Sequence, residues 1–268
     1  MTIVRKGART SQDIPTEILA QLNSGQISSA NLVEWLAIDA LQLLWHVLQQ
    51  HQREHYFATV KQQVAALKKP TINSRNACIG QSLWQQMTQQ GDLIFLQILQ
   101  QHTADMVRCW ACYAVVADEQ LSLNARFKRI YPLAADTHFG VREVAWMAMR
   151  PFIIAQLEES LDILMLWSQD DDSNIRRFAT EAARPRGVWC LHIEALKQNP
   201  ALAIGILQQL HNDPVRYVQD SVANWLNDAS KTQPDFVQAL CEQWQAQNPT
   251  PATTYIIKKA LRTLQKQG

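Results

Sequence analysis

The stretch that decides the fold is Asp170–Trp189, with the sequence DDDSNIRRFATEAARPRGVW. In it an aspartate is followed by an aliphatic residue five positions later, then a basic residue, and after two more residues a small one. The same spacing occurs three times: Asp136, Val141, Arg142 and Ala145; Asp170, Ile175, Arg176 and Ala179; and Asp213, Val218, Gln219 and Val222. A weaker copy, Val107, Arg108 and Ala111, has His102 in place of the aspartate.

The aliphatic positions Val107, Val141, Ile175 and Val218 are 34, 34 and 43 residues apart. Such intervals are typical of helix-hairpin repeats. We interpret the aspartate as a helix cap, the aliphatic and small residues as the face toward the next repeat, and the basic residue as the partner of an adjacent acid. Glycine is scarce, at 8 residues. The sequence therefore predicts an all-α, HEAT-like helical-repeat solenoid (an α-α superhelix).

The chain contains no low-complexity linker, so we predict one domain over residues 1–268. Residues 1–100 are expected to form less regular helices and residues 101–268 the regular repeats. No apolar stretch reaches the roughly 20 residues that a membrane span needs, and the first residues lack the apolar segment of a signal peptide. These features predict a cytoplasmic protein.

The five cysteines are interpreted as reduced core thiols, because nothing indicates secretion. Cys109 and Cys112 form a C-x-x-C pair that Cys190 and His192 could extend into a metal site. The pair lies within an apolar helical pattern, which favours a place in the core. We expect no metal.

The formal net charge is only +1, so the chain as a whole is not a polycation. The basic residues are nevertheless clustered, with four arginines and a single glutamate between Ile175 and Trp189. Equivalent positions of stacked repeats line one face, so this placement predicts a concave basic face suited to a phosphate backbone. The alternative is ordinary solvated faces and ion pairs between repeats.

No phosphate-binding glycine loop, nucleophile elbow or metalloprotease helix is present in the sequence. Three segments instead resemble the AlkC/AlkD family of HEAT-repeat DNA glycosylases, closest to its AlkC branch. They are HFGVREVAWMAMRPFI at 138–153, NIRRFATEAARPRGVW at 174–189 and DPVRYVQDSVANWLNDASK at 213–231. The resemblance implies hydrolysis of the N-glycosidic bond of N3- or N7-alkylated purines in double-stranded DNA, by a monomer, without a cofactor or a deep base pocket.

The resemblance also implies the catalytic carboxylates, with Glu181 as the first candidate and Asp228 as the second. A base made cationic by alkylation needs little acid assistance to leave, and a carboxylate can stabilise the positive charge that develops on the sugar. The alternative for Glu181 is an ion pair with Arg177 or Arg184. The two roles are compatible.

The chain departs from the family pattern at Trp146, where many AlkC members have a further glutamate. Glu143, one turn earlier, is a candidate substitute. Trp146 and Trp189 lie beside arginines and a glutamate, so we expect them at the site. The other tryptophans of the repeats, Trp110, Trp167 and Trp225, are predicted to be core residues.

Cationic and neutral side chains of the same segments are the candidates for binding DNA. They are Arg142, Arg150, Arg176, Arg177, Arg184, Arg186, Tyr217, Ser221, Asn224 and Lys231. Arg142 and Arg176 occupy the arginine position of the repeat, so an ion pair between repeats is the favoured role for both. The rigid Pro185 is expected to present Arg184 and Arg186 toward one backbone.

The sequence thus leads to a DNA alkylation repair protein, with a glycosylase as the leading hypothesis. Two alternatives stay open. One is a non-catalytic HEAT-repeat protein that binds damaged or distorted DNA, and the other is a protein-interaction scaffold.

Overall fold

The computed structural model describes residues 5–247 and 249–266, which form α-helices joined by turns, with no β-strand among them. The helices are α1 (Thr16–Asn23), α2 (Leu32–Ala37), α3 (Ala40–Gln50), α4 (Phe57–Ala65), α5 (Ile72–Gln90), α6 (Leu93–Gln101), α7 (Asp105–Val116), α8 (Leu123–Ala134), α9 (Phe139–Ala155), α10 (Leu157–Trp167), α11 (Ser173–Ala182), α12 (Glu194–Gln198), α13 (Ile204–Leu210), α14 (Arg216–Ala229), α15 (Pro234–Ala246) and α16 (Pro251–Ala260). Short 3-10 helices lie at Ser11–Asp13, Glu54–Tyr56, Pro200–Ala203 and Leu264–Lys266. The predicted all-α fold is confirmed.

The described residues divide into two compact units. Of the described residues, the first unit comprises 5–122 with 128–148, and the second comprises 123–127 with 149–247 and 249–266. In the second unit, α10 packs on α11, α13 on α14, and α15 on α16. The second helices of these pairs also contact one another in the order α11, α14, α16. This is the layering of a helical repeat; the prediction of a single domain stays a prediction.

The repeat motif occupies the positions that its spacing predicts. Its aliphatic residues Val107, Val141, Ile175 and Val218 are all fully buried. The small residues that follow them one turn later are fully buried as well. Burying a side chain of this size stabilises the fold by about 1.5–3 kcal/mol, so these residues form the contact surfaces of the second helices.

The basic position of the motif forms a ladder. Arg176 pairs with Asp213 of the following motif, with Nε 2.6 Å and Nη2 3.2 Å from the two carboxylate oxygens. Arg108 pairs with Asp136 in the same way, at 2.7 and 3.1 Å. Arg142 donates from Nη1 to the carbonyl of Asp136 at 2.7 Å. The favoured role of Arg176 is therefore confirmed, and its guanidinium is committed to the fold instead of to DNA.

The aspartates of the motif do not cap the helices directly, which corrects the interpretation made from the sequence. Each accepts a backbone N–H two residues ahead, in the turn before the helix: Asp136 from His138, Asp170 from Asp172, and Asp213 from Val215. This is an Asx turn, in which the carboxylate substitutes for a backbone acceptor. The N-cap of α11 is the neighbouring Asp172, which accepts from Asn174.

In the weakest copy of the motif, His102 replaces the aspartate as acceptor of a backbone N–H in the turn before the helix. Its Nδ1 accepts the N–H of Ala104 at 3.0 Å. Burial, with the nearby His51 and Arg108, lowers the pKa of His102 to about 4. The ring is consequently neutral near pH 7, as an acceptor nitrogen requires.

Candidate functional site

One face of α14 gathers four of the side chains predicted from the sequence. Tyr217, Ser221, Asn224 and Asp228 are spaced by four, three and four residues, which places them on one side of a helix. α14 lies between α11 and α16 in the second unit. Side chains of both neighbours therefore meet this face.

At the C-terminal end of this face, two carboxylates share one guanidinium. Arg184 donates from Nε and Nη2 to Asp228 Oδ2, at 3.0 and 2.6 Å, and from Nη1 to Glu181 Oε2 at 3.0 Å. Glu181 Oε1 accepts the hydroxyl of Ser221 at 2.8 Å and lies 3.4 Å from Arg177 Nη2. The ion pairs predicted for Glu181 are confirmed. We name Glu181, Arg184 and Asp228 the acid cluster.

Both acids of the acid cluster are buried. Glu181 is 2% exposed, and Asp228 is 5% exposed. Asp228 Oδ1 accepts the ammonium of Lys231 at 2.9 Å, and the Lys231 side chain is 44% exposed. Burial lowers the pKa of Arg184, but the charges of Glu181 and Asp228 outweigh burial and raise its pKa above the ordinary value. Arg184 is thus a permanent cation between the carboxylates.

Helix α16 contributes side chains that are not among the candidate site residues predicted from the sequence. Tyr255 and Lys259 donate to one oxygen of Asp220 on α14, each at 2.6 Å. Arg262, just after α16, donates to Asn224 Oδ1 at 3.0 Å. The four- and three-residue spacing of Tyr255, Lys259 and Arg262 is the signal that could have identified them.

Arg177 and Tyr217 form a second contact between α11 and α14. The guanidinium carbon of Arg177 lies 4.1 Å from the centroid of the Tyr217 ring, a cation–π geometry. The polar faces of α11, α14 and α16 are therefore continuous. We name this surface, from Arg177 through Tyr217 and Asn224 to Lys259, the polar face.

Three predicted DNA contacts have side chains that bind other groups of the protein. Arg150 is 1% exposed and donates to the carbonyls of Ala182 at 2.7 Å, Leu191 at 3.0 Å and Arg184. Burial lowers its pKa. Three N–H groups of this guanidinium bind carbonyls inside the protein, and the whole side chain is buried, so it is not available to a phosphate. Assignment of Arg150 to DNA binding is corrected to a structural role.

Ser221 and Arg184 are corrected for the same reason. Ser221 is 1% exposed, and its hydroxyl contacts Glu181 and the Thr180 hydroxyl. Arg184 is turned toward the acids, so Pro185 does not present it together with Arg186 to one backbone. The Nε of Arg186 is buried and has no hydrogen-bond partner among the described residues.

The two tryptophans expected at the site differ. Trp146 is 1% exposed and donates to Glu143 Oε2 at 3.0 Å, so it is a core residue of the first unit and Glu143 is its acceptor. Trp189 is 63% exposed in the turn after α11. Trp110 and Trp225, predicted as core, are buried.

The cysteines are free thiols, and Cys109, Cys112 and Cys241 are buried. Burial raises the pKa of Cys109 and Cys112 well above the ordinary value. Within residues 5–247 and 249–266, no three metal-ligating side chains come together. No helix in the described part of the chain is long and apolar enough to cross a membrane.

Stacked helix pairs with a polar face define the class: an α-helical repeat protein. A family model described as "DNA alkylation repair enzyme" matches residues 54–264. The chain belongs to this family, and the resemblance to the AlkC/AlkD glycosylases that its motifs indicate is confirmed.

Three relatives place the chain more closely. The uncharacterized protein YhaZ of Bacillus subtilis (strain 168) is 39% identical over 150 residues, which are 56% of this chain and 41% of YhaZ. The structure of Pseudomonas fluorescens alkylpurine DNA glycosylase AlkC, bound to DNA containing an abasic site analog, is 25% identical with a TM-score of 0.66; the match covers 97% of this chain and 66% of AlkC. AlkD2 from Streptococcus mutans is 20% identical with a TM-score of 0.56, covers 78% of this chain and 97% of that protein, and supports the fold.

Proposed function

We propose that the protein is a DNA glycosylase that hydrolyses the N-glycosidic bond of N3- or N7-alkylated purines in double-stranded DNA. Membership of the DNA alkylation repair family and the similarity to AlkC support this proposal. The observation that carries it is the acid cluster, in which Glu181 and Asp228 meet at the guanidinium of Arg184 beside the polar face. We infer a cytoplasmic monomer that uses no cofactor.

The chemistry suits a cationic leaving group. Alkylation at N3 or N7 gives the purine a positive charge, so the base leaves without being protonated first. Its departure leaves positive charge on the deoxyribose, and a fixed carboxylate stabilises that charge and orients the attacking water. The site therefore requires a carboxylate, and Asp228 provides one that pairs with Arg184 and Lys231.

Asp228 is the better placed of the two acids for contact with the sugar. Its Oδ1 accepts only Lys231 among the described residues, and that side chain is 44% exposed and can move to a phosphate. Both oxygens of Glu181 are held by Ser221, Arg177 and Arg184. We therefore assign Asp228 as the catalytic residue and Glu181 as a positioning residue that fixes Arg184.

The polar face supplies the contacts to the DNA backbone in this proposal. Arg177 on this face, together with Arg186 and Lys231 near the acid cluster, are the candidate phosphate ligands from the sequence, and Lys259 and Arg262 extend the set. Tyr217 and Asn224 add neutral hydrogen bonds. Each lost phosphate contact is expected to lower the salt dependence of binding by about 0.9 in log–log slope.

The test is release of methylated bases from duplex DNA treated with dimethyl sulfate. Asp228→Asn should lower the rate about a hundredfold or more, because it removes the stabilising charge. Glu181→Gln should lower kcat and leave the Kd for duplex unchanged. A merely structural loss would instead lower the folded fraction, and with it both the rate and the amount of duplex bound. Asp162→Asn, on the exposed surface of α10, is the matched control and should match the parent.

Unchanged release by Asp228→Asn would refute the catalytic assignment. If the parent protein releases no base but binds the duplex with salt-dependent affinity, a non-catalytic DNA-binding role replaces the proposal. If it binds no duplex, the protein-interaction scaffold replaces it.

A further inference from the structure

The turn between α11 and α12 exposes apolar side chains in a way that folding alone does not require. Val188 is 52% exposed, Trp189 63% and Leu191 65%, all within four consecutive residues. Elsewhere along α11 the apolar residues Ile175, Phe178 and Ala179 are buried. Clustered exposed apolar residues mark an interaction site more often than an isolated one does.

This turn is held in place by a buried arginine. Arg150 donates to carbonyls at both ends of the turn, those of Ala182 and Arg184 at its start and that of Leu191 near its end. The N–H of Ile193 closes the segment by donating to the carbonyl of Pro185 at 3.1 Å. The backbone that carries the apolar side chains is therefore fixed in the free protein. A partner that binds them does not have to order this segment, so less conformational entropy is lost on binding.

Trp189 has an unusual backbone conformation. Its φ is +60°, in the left-handed region that favours glycine. A bulky residue persists there only where the surrounding structure imposes it, and such residues concentrate at functional sites. The indole ring is mostly exposed, so burial of this ring does not offset the backbone strain at Trp189.

The turn lies beside the acid cluster. It begins at Arg184, which binds Asp228 and Glu181. Burial raises the pKa of the Cys190 thiol, and the charges of Arg150, Arg184, Glu181 and Asp228 all act on the same thiol. Arg186, in the same turn, is partly exposed and adds a cationic side chain. Apolar, aromatic and cationic groups thus stand together at the catalytic carboxylate.

We propose that Val188, Trp189 and Leu191 form an apolar wedge that inserts into the duplex next to the damaged nucleotide and unstacks one base step. The inference rests on the proposed function, because it takes DNA as the partner. Unstacked bases offer flat apolar faces flanked by phosphates, which matches a wedge flanked by Arg186. The wedge adds to the acid cluster a means of detecting a weakened base step.

The experiment uses the full chain and a duplex with a tetrahydrofuran abasic analogue and 2-aminopurine at the adjacent position. Binding of the parent should raise 2-aminopurine emission, because unstacking relieves its quenching. Val188→Ser with Leu191→Ser should abolish the rise and weaken binding at least about tenfold, the loss expected for one stacking contact. Leu166→Ser with Leu202→Ser removes two other exposed apolar residues of the second unit and should behave like the parent.

Trp189→Gly and Trp189→Ala separate the ring from the backbone strain. Both lose the stacking surface, but glycine adopts φ +60° without strain. Equal loss of the emission rise in both variants supports the wedge. A rise that survives in both Trp189→Gly and the double serine variant overturns it.

The two proposals fail separately. Base release by the parent together with an emission unaffected by the serine substitutions would overturn the wedge and leave the glycosylase intact. An emission rise that depends on Val188 and Leu191, without any base release, would support the wedge and refute the glycosylase. A parent that binds no duplex refutes both and points to a protein partner for the apolar turn.

Discussion

Replacing Arg150 by methionine should destabilise the protein strongly without removing a DNA contact. The substitution leaves three carbonyls, those of Ala182, Arg184 and Leu191, without their donor. An unsatisfied buried polar group costs about 1–3 kcal/mol. Loss of the buried charge, whose burial lowers the pKa of Arg150, offsets part of that sum. We expect the free energy of unfolding to fall by about 3–5 kcal/mol, the range for breaking a buried charged interaction.

Urea unfolding followed by circular dichroism measures this loss, and limited proteolysis within 184–193 reports whether the turn opens first. Arg150→Lys is the matched control: it keeps the charge but lacks the planar fork that reaches three acceptors. It should recover part of the stability. The salt dependence of duplex binding is the second readout, and its log–log slope should be the same for Arg150→Lys and the parent, because no phosphate contact is lost.

Two results would refute the reasoning. A methionine variant as stable as the parent would show that the carbonyls do not depend on Arg150. A slope lower by about 0.9 in Arg150→Lys would return Arg150 to the DNA-binding residues.

Three further predictions test the fold. The pKa of His102 is about 4 in the folded protein and about 6.5 in the unfolded chain. Between these pH values the unfolded chain binds more protons than the folded protein. The free energy of unfolding therefore falls, by at most about 3 kcal/mol, as the pH drops from 6.5 toward 4. In urea unfolding at pH 7 and pH 5, His102→Asp should remove this difference; an unchanged difference would contradict the assignment. Arg176→Gln should lower the free energy of unfolding by about 2–4 kcal/mol, because it leaves the buried Asp213 without its ion pair. Arg129→Gln is the control: its ion pair spans 3.8 Å and its side chain is 41% exposed, so the loss should be less than about 1 kcal/mol. Equal shifts of the melting temperature would argue against the ladder. A thiol reagent should modify the half-buried Cys78 and Cys190 in the native protein and reach Cys109, Cys112 and Cys241 only after denaturation; fast native labelling of Cys109 would show that its helix opens.

Local spacing predicted the repeat well. Val107, Val141, Ile175 and Val218 are buried as their periodicity requires, and Arg176 reaches Asp213 one motif later. These interactions recur with every repeat, so their pattern is visible in the chain itself. The Asx turns were misassigned as helix caps because both use an aspartate just before a helix.

The site was less predictable. The sequence identifies Glu181, Arg184 and Asp228 as candidates. Arg184 and Asp228 are 44 residues apart, so the sequence does not show which carboxylate oxygen each guanidinium nitrogen contacts. Arg150 and Arg186 are both arginines next to a proline. Arg150 is nevertheless fully buried with three carbonyl partners, whereas Arg186 is only partly buried and its Nε has no partner among the described residues.

The amino-acid sequence by itself determined the all-α repeat fold, the family and the set of acids and cations, because helical periodicity and motif residues are local properties. Only the tertiary structure decided which of those side chains bind groups inside the protein. Arg150 and Ser221 are buried because the carbonyls and the carboxylate beside them need hydrogen-bond donors. Val188, Trp189 and Leu191 are exposed because hydrogen bonds from Arg150 fix the backbone of the turn that carries them.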